Sequence, residues 1–585
     1  MSLNCRTLCA LNNRLGTKRA LRSTCGKPPR RRAANVRRQN INPKVSGSLA
    51  NVPCSVSTAA PRSRGRPLIL PDFAQLTEPC AKRRTGSTAQ LAKRNAGQRG
   101  GKHHLLACVA IAGLIGSLGL VAPAGATRGS QQQGVTDDEI TIVAYVAADD
   151  DLAASLQNQL DSPEDTADTS TKLIEMYAKT FETWGRKIKV VRMKGTGSDE
   201  TSARADAVKV AEEIKAFASI GGPGQESAYA EELARRGVIC VGCGLALPDS
   251  ALQKNAPYIW GNLQTPEQYL LNLGDFIIER LLGKKAEFAG SPAIRKRERV
   301  FGVVHFEQDP PVFGAVEDMA AKEGGSRGYE QAVNLTYQLV IADLPEKARV
   351  LVDQLKKAKV TSVVFLGDPI MPIYLTKAAT DQNYFPEWII TGTVLTDTTV
   401  FGRLYDQKQW SHAFGISSLP ARLPLDQGEA WRNYQWFYGE PPKAKKTVTV
   451  INEPIRILMT GIHQAGPNLT PETFRDGLFA YPPTGGEPTA PRLSWGDHDL
   501  FRAPDFNAVD DMQVIWWNPD AKGPDEQGQE GTGMMMSADG GKRYLPGEMP
   551  NTPANVFDPE GAVAMYDEIP ADAIPPSYPS PAPGG

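Results

Sequence analysis

From residue 135 onward the apolar positions keep two alternating rhythms. Continuous β-branched runs, such as ITIVAYV at 140–146 and RVFGVVH at 299–305, mark strands buried on both faces. Between them, apolar residues recur at three- and four-residue spacing. Leu173, Ile174, Tyr177 and Phe181 do so within 170–183, and Ala203, Ala207, Val210, Ala211 and Ile214 within 199–216. That spacing places one apolar stripe on a helix. The pattern predicts strands at 140–146, 187–193, 218–220 and 238–241, separated by helices at 170–183, 199–216 and 228–236. It then repeats, with helices at 266–282, 312–323, 345–357 and 370–380 among strands at 299–305, 334–340, 362–366 and 387–390. Such alternation implies an α/β fold with parallel sheets covered on both faces.

Beyond 391 the pattern thins. It leaves a strand at 412–417, helices at 428–438, 453–464 and 471–479, and a last strand at 511–517. The expected layout is two lobes, each made of two chain segments. Lobe one takes 134–262 and 392–490, and lobe two takes 263–391 and 491–544. A Pro-rich irregular tail follows over 545–585, where ten of 41 residues are Pro.

Ahead of 135 no rhythm holds. Residues 1–104 scatter Arg clusters at 30–32, 37–38 and 83–84 among Pro, Ser and Asn. They offer too little apolar surface to offset the entropy of ordering. This segment reads as a basic disordered leader, or as upstream sequence translated from a wrong start, in preference to an arm laid on nucleic acid. Lys93, Arg94, Arg99 and Lys102 then precede an apolar run and the small-x-small site Ala124-Gly125-Ala126. Residues 105–126 thus have the order of a secretory signal, with cleavage expected after Ala126. The run is short for an anchor and lacks a basic stop-transfer flank. Cys108 opens the run instead of following it, which speaks against a lipid anchor. No Met falls between Met1 and Met176, and a non-Met start near Leu91 would give a signal of ordinary length.

Charge separates the same two parts. The 585 residues carry 65 Lys+Arg and 65 Asp+Glu, a formal charge of zero. Of these, 23 basic and two acidic residues fall in 1–134, leaving 42 basic and 63 acidic residues beyond. An acidic exported part speaks against a nucleic-acid partner. Six of the eight Cys lie at or before Cys108, so the exported part keeps only Cys240 and Cys243, a CxxC. In an oxidising exterior this pair reads first as a local disulfide, then as two buried thiols, and last as a redox pair. His305, His412, His463 and His498 do not cluster, and no second CxxC exists, so neither a metal nor a cofactor is expected. There is also no P-loop or HExxH, and the expectation is a protein that is not an enzyme.

Several motifs carry a family resemblance. They are Gly134-Val135-Thr136-Asp137-Asp138-Glu139-Ile140, then Ala203-Arg204-Ala205-Asp206-Ala207-Val208, then Phe217-Ala218-Ser219-Ile220-Gly221-Gly222. Gly237-Val238-Ile239 and Pro257-Tyr258-Ile259-Trp260 complete the series. In this order and spacing the chain, over roughly 134–520, resembles the extracellular substrate-binding proteins of ABC transporters. The resemblance is to the branched-chain amino acid (Leu/Ile/Val) type, as in actinobacteria. It implies a type I periplasmic binding protein fold, with two Rossmann-like lobes joined by a three-stranded hinge. It also implies a small-molecule ligand held between the lobes and an ABC permease as partner. A sensor on the same fold, passing occupancy to a partner, is the alternative, and an exported enzyme using Cys243 or Asp368 ranks below both. A monomer is expected.

In open parallel sheets, ligands meet the loops at the carboxyl ends of the strands, where glycines and helix N-termini present backbone N–H groups. In lobe one this singles out Gly224, Gln225, Glu226 and Ser227, then Gly242, Cys243 and Gly244. Ser227 is also an expected helix cap. The family places Ser and Thr in such loops, whereas this chain has Gln, Glu and Cys. The acidic loop Asp149-Asp150-Asp151 reads as solvated or as facing an ammonium group. In lobe two the candidates are Phe306, Asp309, Asp368, Thr391 and Thr393, with Asp368 read equally as a helix cap.

Overall fold

A computed structural model describes residues 132–151, 160–224, 226–244, 247–307, 325, 327–571 and 573–582. The basic leader, the signal segment with Ala126, the expected helix at 312–323, Gln225 and Asp309 lie outside the described residues.

Lobe one is built on five parallel strands. These are β1 (Glu139–Val146), β2 (Lys187–Lys194), β3 (Ala218–Ile220), β4 (Ile239–Val241) and β5 (Ile259–Trp260), in the order β2-β1-β3-β4-β5. The helices between them are α1 (Pro163–Thr180), α2 (Glu200–Val208), α3 (Ala228–Arg235) and α4 (Asp249–Lys254). Local chemistry fixes their starts. Ser162 accepts from Asp165 N–H at 3.0 Å, and Asp199 accepts from Thr201 and Ser202 N–H at 2.9 and 3.1 Å. Helix α5 (Pro266–Asp275) opens with a full capping box between Thr265 and Gln268.

Lobe two holds an eight-stranded mixed sheet. Strands β6 (Phe301–Phe306), β7 (Gln331–Tyr337), β8 (Ser362–Leu366), β9 (Glu387–Ile390) and β10 (Ala413–Ser417) run parallel. Strand β11 (Met512–Pro524) adds antiparallel to β10, and β12 (Glu530–Ser537) and β13 (Arg543–Tyr544) each pair antiparallel with β11. Helices α6 (Leu344–Lys357) and α7 (Met371–Asp381) pack one face of this sheet, and α5 packs the other. The chain returns to lobe one as α8 (Glu429–Tyr438), α9 (Val448–Gln464) and α10 (Pro471–Phe479).

Two of the expected boundaries are corrected. Residues 392–417, assigned by pattern to lobe one, belong to lobe two. Every residue of β10 is buried between β9 and β11, and Phe401, Tyr405 and Trp410 pack in the same core. Residues 491–508, assigned to lobe two, pack on lobe one, where Phe506 meets the Trp260 ring at 4.9 Å. Shorter shifts have local causes. β7 starts and ends three residues earlier than the pattern suggested, and Val340 and Ile341 are exposed in the following loop. Helix α9 starts at Val448, five residues before the expected start, and carries Pro454 in its interior, where the Val450 carbonyl loses its helical donor and the ring lies beside Gly242.

The lobes are joined by three crossings. The first runs from Trp260 to Pro266, the second from Ser417 to Glu429, and the third from Ala508 to Met512. They do not form a continuous three-stranded ladder. Only one bridge, Gly261 to Asn507, links the first and third directly, supported by Gln268 Nε2 donating to Asp505 at 2.7 Å. The tail has no helix or strand beyond β13 among its described residues, yet Met549, Ala554 and Val556 are buried in the lobe-two core.

Candidate functional site

The first crossing leaves lobe one at the carboxyl end of β5, and the second leaves lobe two at the carboxyl end of β10. Each lobe therefore turns the carboxyl edge of its parallel sheet toward the crossings. The loops at those edges are the candidate site.

In lobe one the glycine loops are packed against each other. A Cβ on Gly222 would lie 3.2 Å from the Cys243 Cβ. Gly244 has φ +102°, and a Cβ there would meet the Glu226 carbonyl at 2.7 Å, so this position accepts only glycine without strain. Cys240 and Cys243 are joined by a disulfide with Cα atoms 5.8 Å apart, which ties this loop to the end of β4. The Gly224 N–H donates to the Asp151 carboxylate at 2.7 Å, and Asp151 is only 2% exposed. The donor expected to face a ligand headgroup is thus taken by the chain's own acid. Of the acidic loop, Asp149 pairs with Lys194 at 2.6 Å and Asp150 accepts from the Ser198 hydroxyl at 3.1 Å. Burial, with Glu200 and Asp199 nearby, pushes the Glu226 carboxyl above its ordinary range. Ser227 occupies the cap position of α3 without a side-chain capping bond.

In lobe two the candidates also turn inward. Asp368 accepts from the N–H groups of Ile370 and Met371 at 2.7 and 3.0 Å, which caps α7, and from the Tyr337 hydroxyl. Burial and that carboxylate push the Tyr337 hydroxyl well above the tyrosine range. Thr391 Oγ donates to the Phe365 carbonyl at 2.6 Å, and Thr393 Oγ accepts from Gly367 N–H at 3.0 Å. These two hydroxyls lace the β8 and β9 loops together. Phe306 lies half-buried with its ring 5.7 Å from Tyr337.

Two features escaped sequence reasoning. Asp397 is buried, accepts from the Ser417 hydroxyl, and burial raises its carboxyl to about 7. Nothing in the polar run Thr396-Asp397-Thr398 marks it as buried, because its partner arrives from β10. After Gly392 (φ +75°), Val394 and Leu395 also take positive φ, at +42° and +66°. Val394 is 50% exposed at this edge. A β-branched residue there is strained, and such strain concentrates at functional loops. Among the described residues, no group of His, Cys, Asp and Glu is arranged to hold a metal ion, and no helix is long and apolar enough to cross a membrane.

No protein-family model matches the sequence, and no curated protein matches it. Solved structures are similar to it at low identity. One is a solute-binding protein of an ABC transporter from R. palustris, in complex with 4-hydroxybenzoate (11% identity, 71% of this chain and 98% of that chain, TM-score 0.47). Another is a fatty acid ABC transporter substrate-binding protein from Thermomonospora curvata (16% identity, 72% and 96%, TM-score 0.46). A third is a branched-chain amino acid transporter substrate-binding protein from Streptococcus pneumoniae, in complex with isoleucine (12% identity, 68% and 100%, TM-score 0.44). Each of these three solved structures is a solute- or substrate-binding protein of a transporter.

Proposed function

We propose that this chain is an exported solute-binding protein, which captures a small polar ligand between its lobes and delivers it to an ABC permease. One observation carries the reading: two interlobe crossings leave from the carboxyl edges of the two parallel sheets. That edge is where open α/β sheets bind ligands, and short crossings permit hinge closure over one. The proposal includes a monomer, export with cleavage after Ala126, and no lipid anchor. The segment 105–126 and the acidic charge beyond it support export.

The proposed ligand walls are the backbone around Gly224 and Gly242–Gly244, with Phe306 and the loop at 391–393. Asp151 and Asp368 already fill two sets of backbone donors. A ligand carboxylate would have to displace one of them, so an amide or another neutral polar group is the preferred headgroup over an amino-acid carboxylate. A thermal-shift screen of the exported protein over amino acids, amides and aromatic acids tests this. A true ligand at a hundredfold excess over its Kd raises the melting temperature by about 3 °C. A screen in which no compound shifts melting counts against the proposal.

A further inference from the structure

The tail does not stop on the lobe where it starts. From β13 it runs over lobe two: Arg280 donates to the Thr552 hydroxyl and the Pro553 carbonyl, both at 2.9 Å, and Val563 bridges to Ser537. Tyr566 then docks beside the second crossing. Its N–H donates to the Arg422 carbonyl at 2.8 Å, and its hydroxyl donates to the Gly540 carbonyl at 2.7 Å. Twelve residues later the chain is on lobe one. Trp436 Nε1 donates to the Tyr578 carbonyl at 3.1 Å, and Ser580 Oγ donates to the Trp436 carbonyl at 2.5 Å. Ala582 lies over Gly439 at the end of α8. Trp436 belongs to the helix whose Ala430, Trp431 and Tyr434 sit in the lobe-one core.

We propose that the C-terminal tail is a strap, a fourth connection between the lobes that restrains their relative motion. Its composition suits that task. Pro570, Pro575, Pro576, Pro579 and Pro581 remove backbone freedom between and beside the anchors. A stiff segment spans at most about 3.1 to 3.6 Å per residue, so the twelve steps from Tyr566 to Tyr578 set an upper limit on how far the anchors can separate. The lobe-one anchor holds by two hydrogen bonds, with exposed Ile574 and Tyr578 beside it. An anchor of that size biases a two-state population severalfold without locking it. The three crossings set the hinge, and the strap sets how far it swings.

The test needs no ligand, so it stands or falls separately from the proposed function. Spin labels at Glu175→Cys on α1 and Lys347→Cys on α6, both exposed, report the interlobe distance in the exported protein. A chain ending at Ser577 loses only the lobe-one anchor and keeps every tail residue packed in the lobe-two core. A second variant, Trp436→Phe with Ser580→Ala, removes the two donors and keeps the chain length. Both are expected to broaden the distance distribution, with a minor population rising about three- to tenfold. Distributions superposable on that of the intact protein would overturn the strap. A lower melting temperature with an unchanged distribution would overturn it too, because the tail would then be a structural patch.

Discussion

The Arg543 guanidinium lies 2.9 Å from the Asp511 carboxylate, and both side chains are almost wholly buried. The same guanidinium donates to the carbonyls of Leu419 and Ser418 at 3.0 and 2.9 Å. One side chain thus ties the second interlobe crossing to the third. Arg543→Met would leave the buried Asp511 carboxylate without its cation and the Ser418 carbonyl without its donor, while Leu419 keeps the Gln513 amide, at a cost of roughly 3–5 kcal/mol. Urea denaturation measures this. Arg543→Lys is expected to recover only part, because an ammonium lacks the planar fork. Full recovery by lysine would show that charge alone matters.

Gly244→Ala tests the packed cleft loop. The left-handed backbone and the Glu226 carbonyl at 2.7 Å leave no room for a Cβ. The expected loss is about 1–3 kcal/mol, with a weaker response to any ligand found by the screen. A variant as stable as the parent would mean the loop relaxes freely.

Asp397 and Asp510 make stability depend on pH. Burial raises each carboxyl to about 7 in the folded chain. The Ser417 and Ser494 hydroxyls temper the shift by favouring the charged forms. A carboxyl whose folded pKa is raised stabilises the fold fully below its unfolded pKa of about 4, and that contribution is lost as pH rises through 7. From these groups, stability therefore falls between about pH 4 and pH 7, by at most about 4 kcal/mol for each. Melting curves across that range should flatten in Asp397→Asn. An unchanged slope would remove Asp397 from the account.

The disulfide predicts a covalent property. The unreduced exported protein should show no thiol that reacts after denaturation, and a mass two hydrogens below the reduced form. Reduction is expected to destabilise by about 2 kcal/mol at most, since the closed loop is very short. One reactive thiol pair per chain would exclude the bond.

The alternation of buried runs and helical stripes made ten strands legible but not β5, β12 or β13, because residues such as Ile142–Val143 and Val363–Phe365 are apolar where a strand is covered on both faces. Segment ownership was not legible. Ala413–Ser417 reads the same whichever sheet accepts it, and only pairing with β9 and β11 decides. Candidate site residues were found by position, at the carboxyl ends of strands. Their partners were not, because Asp151 to Gly224 and Tyr337 to Asp368 link residues 73 and 31 positions apart. Sequence spacing carries no trace of such closures. The tail likewise read as irregular, since hydrogen bonds from Trp436 and Arg280 leave no periodic mark.

Closure of the lobes on a ligand follows from the proposed function. Small-angle scattering of the chain from Thr127 onward, with and without the compound that most raises its melting temperature, measures it. Closure predicts a smaller radius of gyration on binding, at one ligand per chain and with the compound recovered unchanged. Saturating occupancy with an unaltered scattering curve, or conversion of the compound to a product, would contradict it.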